Sequence, residues 1–347
     1  MHRINKLREA LSDNEAVYIT AYPDIYYYSG FQSPDAALLI SHDVNVLITD
    51  SRYLVQAKIQ SPDFEIYDIK NGLKGLFDRV DCVIGYQEEH ISAGRLEKLK
   101  EDFPKKTFTP MNTVVTTPRR VKDSFEIEKL RCAEELGDSA FSYILGIIKP
   151  GMSEREIALE IEFYMRKNGA SGTSFDTIVA SGLRSSMPHG VASDKVIGIG
   201  DFVTMDFGCR LDGYCSDMTR TIGVGKLSEK SVHIYNTVKE AQQIALDAIK
   251  PGVKLCDVDK AAREYIAKAG FGDNFGHALG HSVGIEIHEN PCFSPKSCDI
   301  IENGNVLSVE PGIYIDGFGG VRIEDLVAFY NEKTDILSKS SKDLILI

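Results

Sequence analysis

Residues 200–213, GDFVTMDFGCRLDG, and residues 304–317, GNVLSVEPGIYIDG, follow one pattern written twice, 104 positions apart. The offset carries Asp206 onto Glu310 and Asp212-Gly213 onto Asp316-Gly317. Asp-Gly between apolar runs predicts a hairpin, because both central residues of a tight turn tolerate positive φ. The return segments, YCSDMTRT and GGVRIEDL, each add a carboxylate, Asp217 and Glu324. Each copy is therefore a β-hairpin with one acid on either arm.

The likeness reaches back into the preceding helices. An offset of 101 residues carries Lys149-Pro150-Gly151 onto Lys250-Pro251-Gly252, Ile157 onto Val258, Tyr164 onto Tyr265 and Gly169 onto Gly270. Each unit reads as the end of one helix, a Pro-Gly break, and a second amphipathic helix closed by glycine, with a capping box at Ser153 and Glu156 in the first copy. Upstream, Ile127, Leu130, Ala133, Leu136, Ala140 and Ile144 recur at helical spacing behind a cap at Asp123 or Ser124.

Residues 1–122 have a different texture. Short apolar runs (AVYIT, AALLIS, VNVLIT, CVIGY) alternate with polar and helical segments, the pattern of a small α/β domain. The tyrosine-rich DIYYYSGF, residues 24–31, reads as a half-buried strand. The expectation is a mixed α/β (α+β) chain of two domains, 1–122 and 123–347, since single cores stop growing near about 250–300 residues.

If the two hairpins pack about a pseudo-twofold axis, four carboxylates converge. Buried without partners they are costly, and two divalent cations would neutralise them. Strand parity tests the idea. A two-residue turn at 212 and 213 sets Asp206 opposite Thr219, whose face Asp217 shares. In the second copy the same turn would pair Glu310 with Ile323 and leave Glu324 on the wrong face, so the return strand needs an extra residue. The run GFGG is expected to supply it as a bulge.

Bulk properties exclude several classes. Acidic residues outnumber basic ones, 51 to 39, for a net charge of −12, so nucleic acid and anionic membranes are poor partners. The charged N-terminus, MHRINKLREALSDNE, carries no apolar signal or membrane stretch, and a cytoplasmic protein is expected. Seven cysteines without a C-x-x-C read as reduced thiols, with Cys209 and Cys215 as buried small hydrophobes near the first hairpin.

Between the hairpins lies GHALGHSVGIEIHENP, with His277, His281 and His288, and before the first lies MPHG, with His189. A neutral imidazole beside four acids completes a metal site. Together MDFGCRLDGYCSDMTRT, GHALGHSVGIEIHENP, SVEPGIY and GVRIEDL resemble the signatures of the pita-bread metallopeptidases, in particular Xaa-Pro aminopeptidases and prolidases. DIYYYSGF and ITDSRYLVQA resemble the creatinase-type N-terminal domain that accompanies this subgroup, so the resemblance spans the chain.

The resemblance implies a ligand set of Asp206, Asp217, His281, Glu310 and Glu324 for two divalent ions, with Asp217 and Glu324 bridging. It implies substrate contacts at His189 and His288, and Glu310 as the base. Arg322, two residues before Glu324, is expected to orient ligand carboxylates, whereas His277 lies near the site without an assigned role. The oxygen-rich set favours Mn²⁺ or Co²⁺, with Fe²⁺ and Zn²⁺ as alternatives. Homodimerisation is implied, and short peptides with proline second are the implied substrates.

One position departs from the prolidase pattern. Many prolidases carry an arginine after the segment matching HENP, where Cys292 stands here. The expectation is therefore an Xaa-Pro aminopeptidase, with a strict Xaa-Pro dipeptidase as the alternative. A silent binding module of the same fold would be expected to have damaged ligands.

Overall fold

Alternation of apolar and polar residues along the strands of the second half fixes which side chains meet. The computed structural model describes residues 2–347, which divide into two compact units, 2–119 and 120–347.

The first unit holds a six-stranded sheet of β1 (Glu15–Ile19), β2 (Ala36–Ile40), β3 (Asn45–Thr49), β4 (Glu65–Asp68), β5 (Val83–Tyr86) and β6 (Thr107–Pro110), in the order β4-β3-β2-β1-β5-β6. The pairs β1–β2 and β2–β3 are antiparallel; the others are parallel. Each predicted apolar run forms one of these strands.

DIYYYSGF does not. Residues Tyr22–Ser29 form a helix, with Pro23 in its first turn and Gly30 closing it at φ 74°. Tertiary contacts override the β preference of the tyrosines. Asp24, 1 % exposed, accepts hydrogen bonds from Arg119 (2.9 Å) and Gln87 (2.7 Å). The Tyr27 and Tyr28 hydroxyls donate to the carbonyls of Pro118 and Val115.

The second unit is built twice. In the first half the helices Ser124–Leu145 and Glu154–Lys167 precede β7 (Gly172–Thr173), β8 (Ile178–Ser181), β9 (Phe202–Phe207), β10 (Cys209–Leu211), β11 (Tyr214–Cys215) and β12 (Met218–Gly223). In the second half the helices Glu229–Ala248 and Leu255–Lys268 precede β13 (Gly280–Ser282), β14 (Glu289–Phe293), β15 (Asn305–Val309), β16 (Gly312–Ile315), β17 (Gly319–Arg322), β18 (Asp325–Tyr330) and β19 (Lys333–Ile336). Both helices of the first half open on capping boxes, Asp123 with Glu126 and Ser153 with Glu156, which satisfy otherwise orphaned backbone donors.

Each half has its own core. Val203, Met205, Phe207, Met218 and Ile222 pack against Leu136, Phe141, Ile157 and Ile161 in the first. Leu307, Val309, Val321 and Ile323 pack against Ile234, Val238, Val258 and Ile266 in the second. Because successive strand residues face opposite ways, the intervening Thr204, Asp206, Thr219, Ser308, Arg322 and Glu324 are turned away from these cores.

The first hairpin runs in one register from Phe202↔Gly223 through Asp206↔Thr219 to Leu211↔Tyr214, with Asp212 and Gly213 at φ 48° and 81°. That is the expected two-residue turn. In the second hairpin Ile315 pairs with Gly319, so Asp316, Gly317 and Phe318 form a three-residue loop. The extra residue expected as a bulge in the return strand sits in the loop instead. The correction keeps the parity argument: Val309↔Asp325 and Gly312↔Arg322 share one register, which sets Glu310 opposite Glu324.

Candidate metal centre

All nine residues singled out in the sequence line one cavity of about 420 Å³ in the second unit. Asp206 reaches it from the end of β9, and Asp217 from the break between β11 and β12. Glu310 and Glu324 reach it from the two arms of the second hairpin. His281 comes from β13, and His288 from the residue before β14. Gly208 and Gly280 let strands close in: a Cβ on either would lie 1.9 Å from a carbonyl oxygen, of Ser216 or of Ser308.

Ligand atoms of Asp217, His281 and Glu324 all lie within 4.8 Å of one another. The His281 Nε2 is 3.5 Å from Asp217 Oδ2 and 3.5 Å from Glu310 Oε1. Its Nδ1 lies 3.2 Å from the Ser282 carbonyl, which favours the proton there and leaves the Nε2 lone pair facing the acids. His288 packs edge-on against His281, ring centroids 4.4 Å apart.

Electrostatics show what the acids need. Burial, then the repulsion of neighbouring carboxylates, raises Asp217 and Glu324 well above their ordinary range. Burial likewise pushes Glu310 up to about 7. The only Lys or Arg lining the cavity is Arg322, whose Nη2 lies 2.6 Å from Asp206 Oδ2. The other oxygen, Asp206 Oδ1, is buried with no hydrogen-bond partner. Four carboxylates, one guanidinium, an orphaned oxygen and an aimed imidazole fit divalent cations.

Several residues that the sequence reading passed over hold this arrangement. The Thr219 hydroxyl donates to Glu324 Oε2 (2.6 Å) and accepts from Arg322 Nε (3.0 Å). Ser308 donates to Glu310 Oε1 (3.1 Å). The Tyr314 hydroxyl accepts from Arg322 Nη1 (2.8 Å) and lies 3.0 Å from His277 Nε2, whose ring turns Nδ1 to the Ala278 carbonyl. Burial and Arg322 pull His277 down to about 4, so it is a neutral acceptor for Tyr314.

Behind Asp217, Glu134 accepts its backbone N–H (3.1 Å) and the Ser338 hydroxyl (2.6 Å). Its one sequence cue is a charge in the middle of the buried face of the helix Ser124–Leu145, where Leu130, Ala133, Gly137 and Phe141 surround it. Cys209 and Cys215 are buried thiols pushed up to about 12 and about 11 by desolvation, consistent with packing rather than ligation.

The profile of metallopeptidase family M24 matches residues 128–330, and that of the creatinase/prolidase N-terminal domain matches residues 3–121. This chain belongs to metallopeptidase family M24. An Xaa-Pro dipeptidase of Pyrococcus horikoshii is 38 % identical over 355 residues, covering 99 % of this chain and 98 % of that one. The solved structure of an Xaa-Pro dipeptidase from Bacillus anthracis superposes with a TM-score of 0.96 at 41 % identity, covering 100 % of this chain and 99 % of that one. An X-Pro aminopeptidase from Thermotoga maritima superposes with a TM-score of 0.92 at 39 % identity, covering 98 % and 99 %.

The M24 fold is thus the pita-bread fold preceded by a creatinase-type domain, and the chain is an Xaa-Pro peptidase, a hydrolase that uses divalent metal. The relatives' names favour the dipeptidase alternative over the aminopeptidase reading that Cys292 suggests.

Proposed function

We propose that this protein is an Xaa-Pro dipeptidase whose second unit cleaves the bond between an N-terminal residue and proline. The observation that carries the proposal is the convergence of Asp206, Asp217, His281, Glu310 and Glu324 at one cavity, with His189 and His288 on its wall. In this reading those five residues hold two divalent ions, Mn²⁺ or Co²⁺ by the oxygen-rich donor set. Such ions supply the positive charge that acidifies water and polarises a carbonyl.

The chain's own groups do the rest. Glu310, held by Ser308, takes the proton of the attacking water and passes it to the leaving proline nitrogen. His288 donates a hydrogen bond to the oxyanion of the tetrahedral intermediate, and His189 contacts the substrate. Arg322 fixes Asp206 by an ion pair and Glu324 through Thr219. The apolar wall, including Phe175, Ile178, Val191 and Ile287, suits a proline ring. The seven free cysteines suit the cytoplasm, and the resemblance to the family implies a homodimer there.

One observation favours a second reading, an Xaa-Pro aminopeptidase acting on longer peptides. Arg322 is committed to Asp206, and Cys292 lines the cavity at the position where many prolidases carry an arginine. A charge-assisted contact to a dipeptide's carboxylate is worth roughly 1.5–3 kcal/mol. Comparing kcat/KM for an Xaa-Pro dipeptide with that for the matching Xaa-Pro-Yaa tripeptide separates the two. The dipeptidase reading expects a dipeptide preference of about tenfold or more, equivalent to about 1.4 kcal/mol. Equal values, or a tripeptide preference, would move the assignment to aminopeptidase.

A further inference from the structure

Lys122 is 2 % exposed, and no other lysine among the described residues is buried. It belongs to the second unit, where its backbone N–H donates to the Gly304 carbonyl (2.8 Å). Its ammonium donates to Ser282 Oγ (2.7 Å) and to Glu289 Oε2 (3.1 Å). Those two residues face each other across β13 and β14, and each directly follows a histidine of the site, His281 or His288.

The strand pair is irregular at that point. Ser282 pairs with Glu289 but His281 pairs with Cys292, so the register shifts by two residues where both histidines are carried. A shifted ladder loses backbone restraint, and the ammonium replaces it. Ser282 passes the hold to β15 through its bond to the Val306 carbonyl (2.8 Å), and its own carbonyl faces His281 Nδ1. Glu289 extends it through Oε1, which accepts the Glu286 N–H (3.2 Å) in the loop leading to His288. Gly284 makes room: a Cβ there would lie 2.5 Å from the Glu289 carboxylate.

We infer that Lys122 is a positioning residue that sets His281 and His288 relative to each other from behind the site. The inference rests on the proposed roles of those histidines, as metal ligand and substrate contact. The competing account is that Lys122 only neutralises buried Glu289, and a charge-balanced pair of variants distinguishes them.

Lys122→Met alone removes the ammonium that pairs with the buried Glu289 carboxylate and is expected to lower the melting temperature of the full-length protein. Lys122→Met combined with Glu289→Gln removes both charges and should restore that temperature. If Lys122 positions the histidines, the double variant still binds one of its two Mn²⁺ ions about tenfold more weakly in chelator competition. At saturating Mn²⁺ its kcat on an Xaa-Pro dipeptide also stays about tenfold low, with a smaller change in KM. Recovery of metal affinity and kcat together with thermal stability would overturn the inference. Unchanged Mn²⁺ affinity and kcat in Lys122→Met alone would do the same. Ser282→Ala removes one of the two contacts without touching charge, and should weaken the same Mn²⁺ ion; no weakening there also counts against the inference. The affinity measurements decide the role of Lys122 even if Xaa-Pro dipeptides prove not to be substrates.

Discussion

The two hairpins of the second unit start from one sequence pattern and deliver their acids differently. The first turns on two residues and sets Asp206 opposite Thr219, leaving Asp217 in the break between β11 and β12. The second turns on three and sets Glu310 opposite Glu324. The second also carries Tyr314 where the 104-residue offset places Arg210 in the first and, past its longer loop, Arg322 where the register places Asp217. A duplicated scaffold thus supplies four acids, while one copy alone has taken on the guanidinium and phenol that arrange them.

The largest effect should come from erasing the difference in loop length. Deleting Phe318 makes the second turn a copy of the first and moves Glu324 to the opposite strand face. Bound divalent metal and peptidase activity should both disappear; a deletion variant with normal metal content would mean that register does not place Glu324.

Next come the equivalent positions, Glu310 and Asp206. Glu310→Gln removes a ligand and the proposed proton acceptor, so kcat should fall by about 10³-fold. Asp206→Asn strips the buried Arg322 of its ion-pair partner and should cost more stability, about 3–5 kcal/mol. Steady-state kinetics beside urea unfolding of the two variants will show whether the roles divide this way.

The Arg322–Tyr314–His277 chain of the second hairpin sets a pH dependence. His277 sits near 4 in the fold against an ordinary value near 6.5, chiefly through burial and then Arg322. The unfolded chain therefore takes the proton first as pH falls. The stability is fully present above about pH 6.5 and is lost as pH falls toward 4, by on the order of 3 kcal/mol. His277→Gln should lose that share of the slope in unfolding curves between those values.

The smallest effect belongs to Cys209. It lies in the first core at the position matching Ile313 in the second, and both are fully buried. Cys209→Ala should cost about 1 kcal/mol of stability and leave metal content unchanged, by elemental analysis of the variant.

The legible parts of this molecule were those governed by local rules. Alternation along 202–207 and 305–309 and the turn chemistry of Asp212-Gly213 announced the hairpins, and five acid and imidazole positions followed from motif resemblance. What escaped depends on distant partners. The loop Asp316–Phe318 looks like its counterpart in sequence, but Gly319 and Gly320 press on the segment 182–186, where the Ser185 hydroxyl accepts the Gly320 N–H (2.8 Å). DIYYYSGF is a helix because Asp24 meets Arg119, 95 residues away. Lys122, Glu134 and Tyr314 are single polar residues without periodicity, and only the packed fold brings them to the site.

In the proposed reading the two unequal hairpins together hold two divalent ions that the chemistry requires. Metal analysis of the purified protein, run beside Xaa-Pro peptidase assays during chelator stripping and readdition, tests it directly. Two ions per chain are expected, with activity that vanishes as they are removed and recovers with Mn²⁺ or Co²⁺. Full activity in protein shown to contain no bound metal would contradict it.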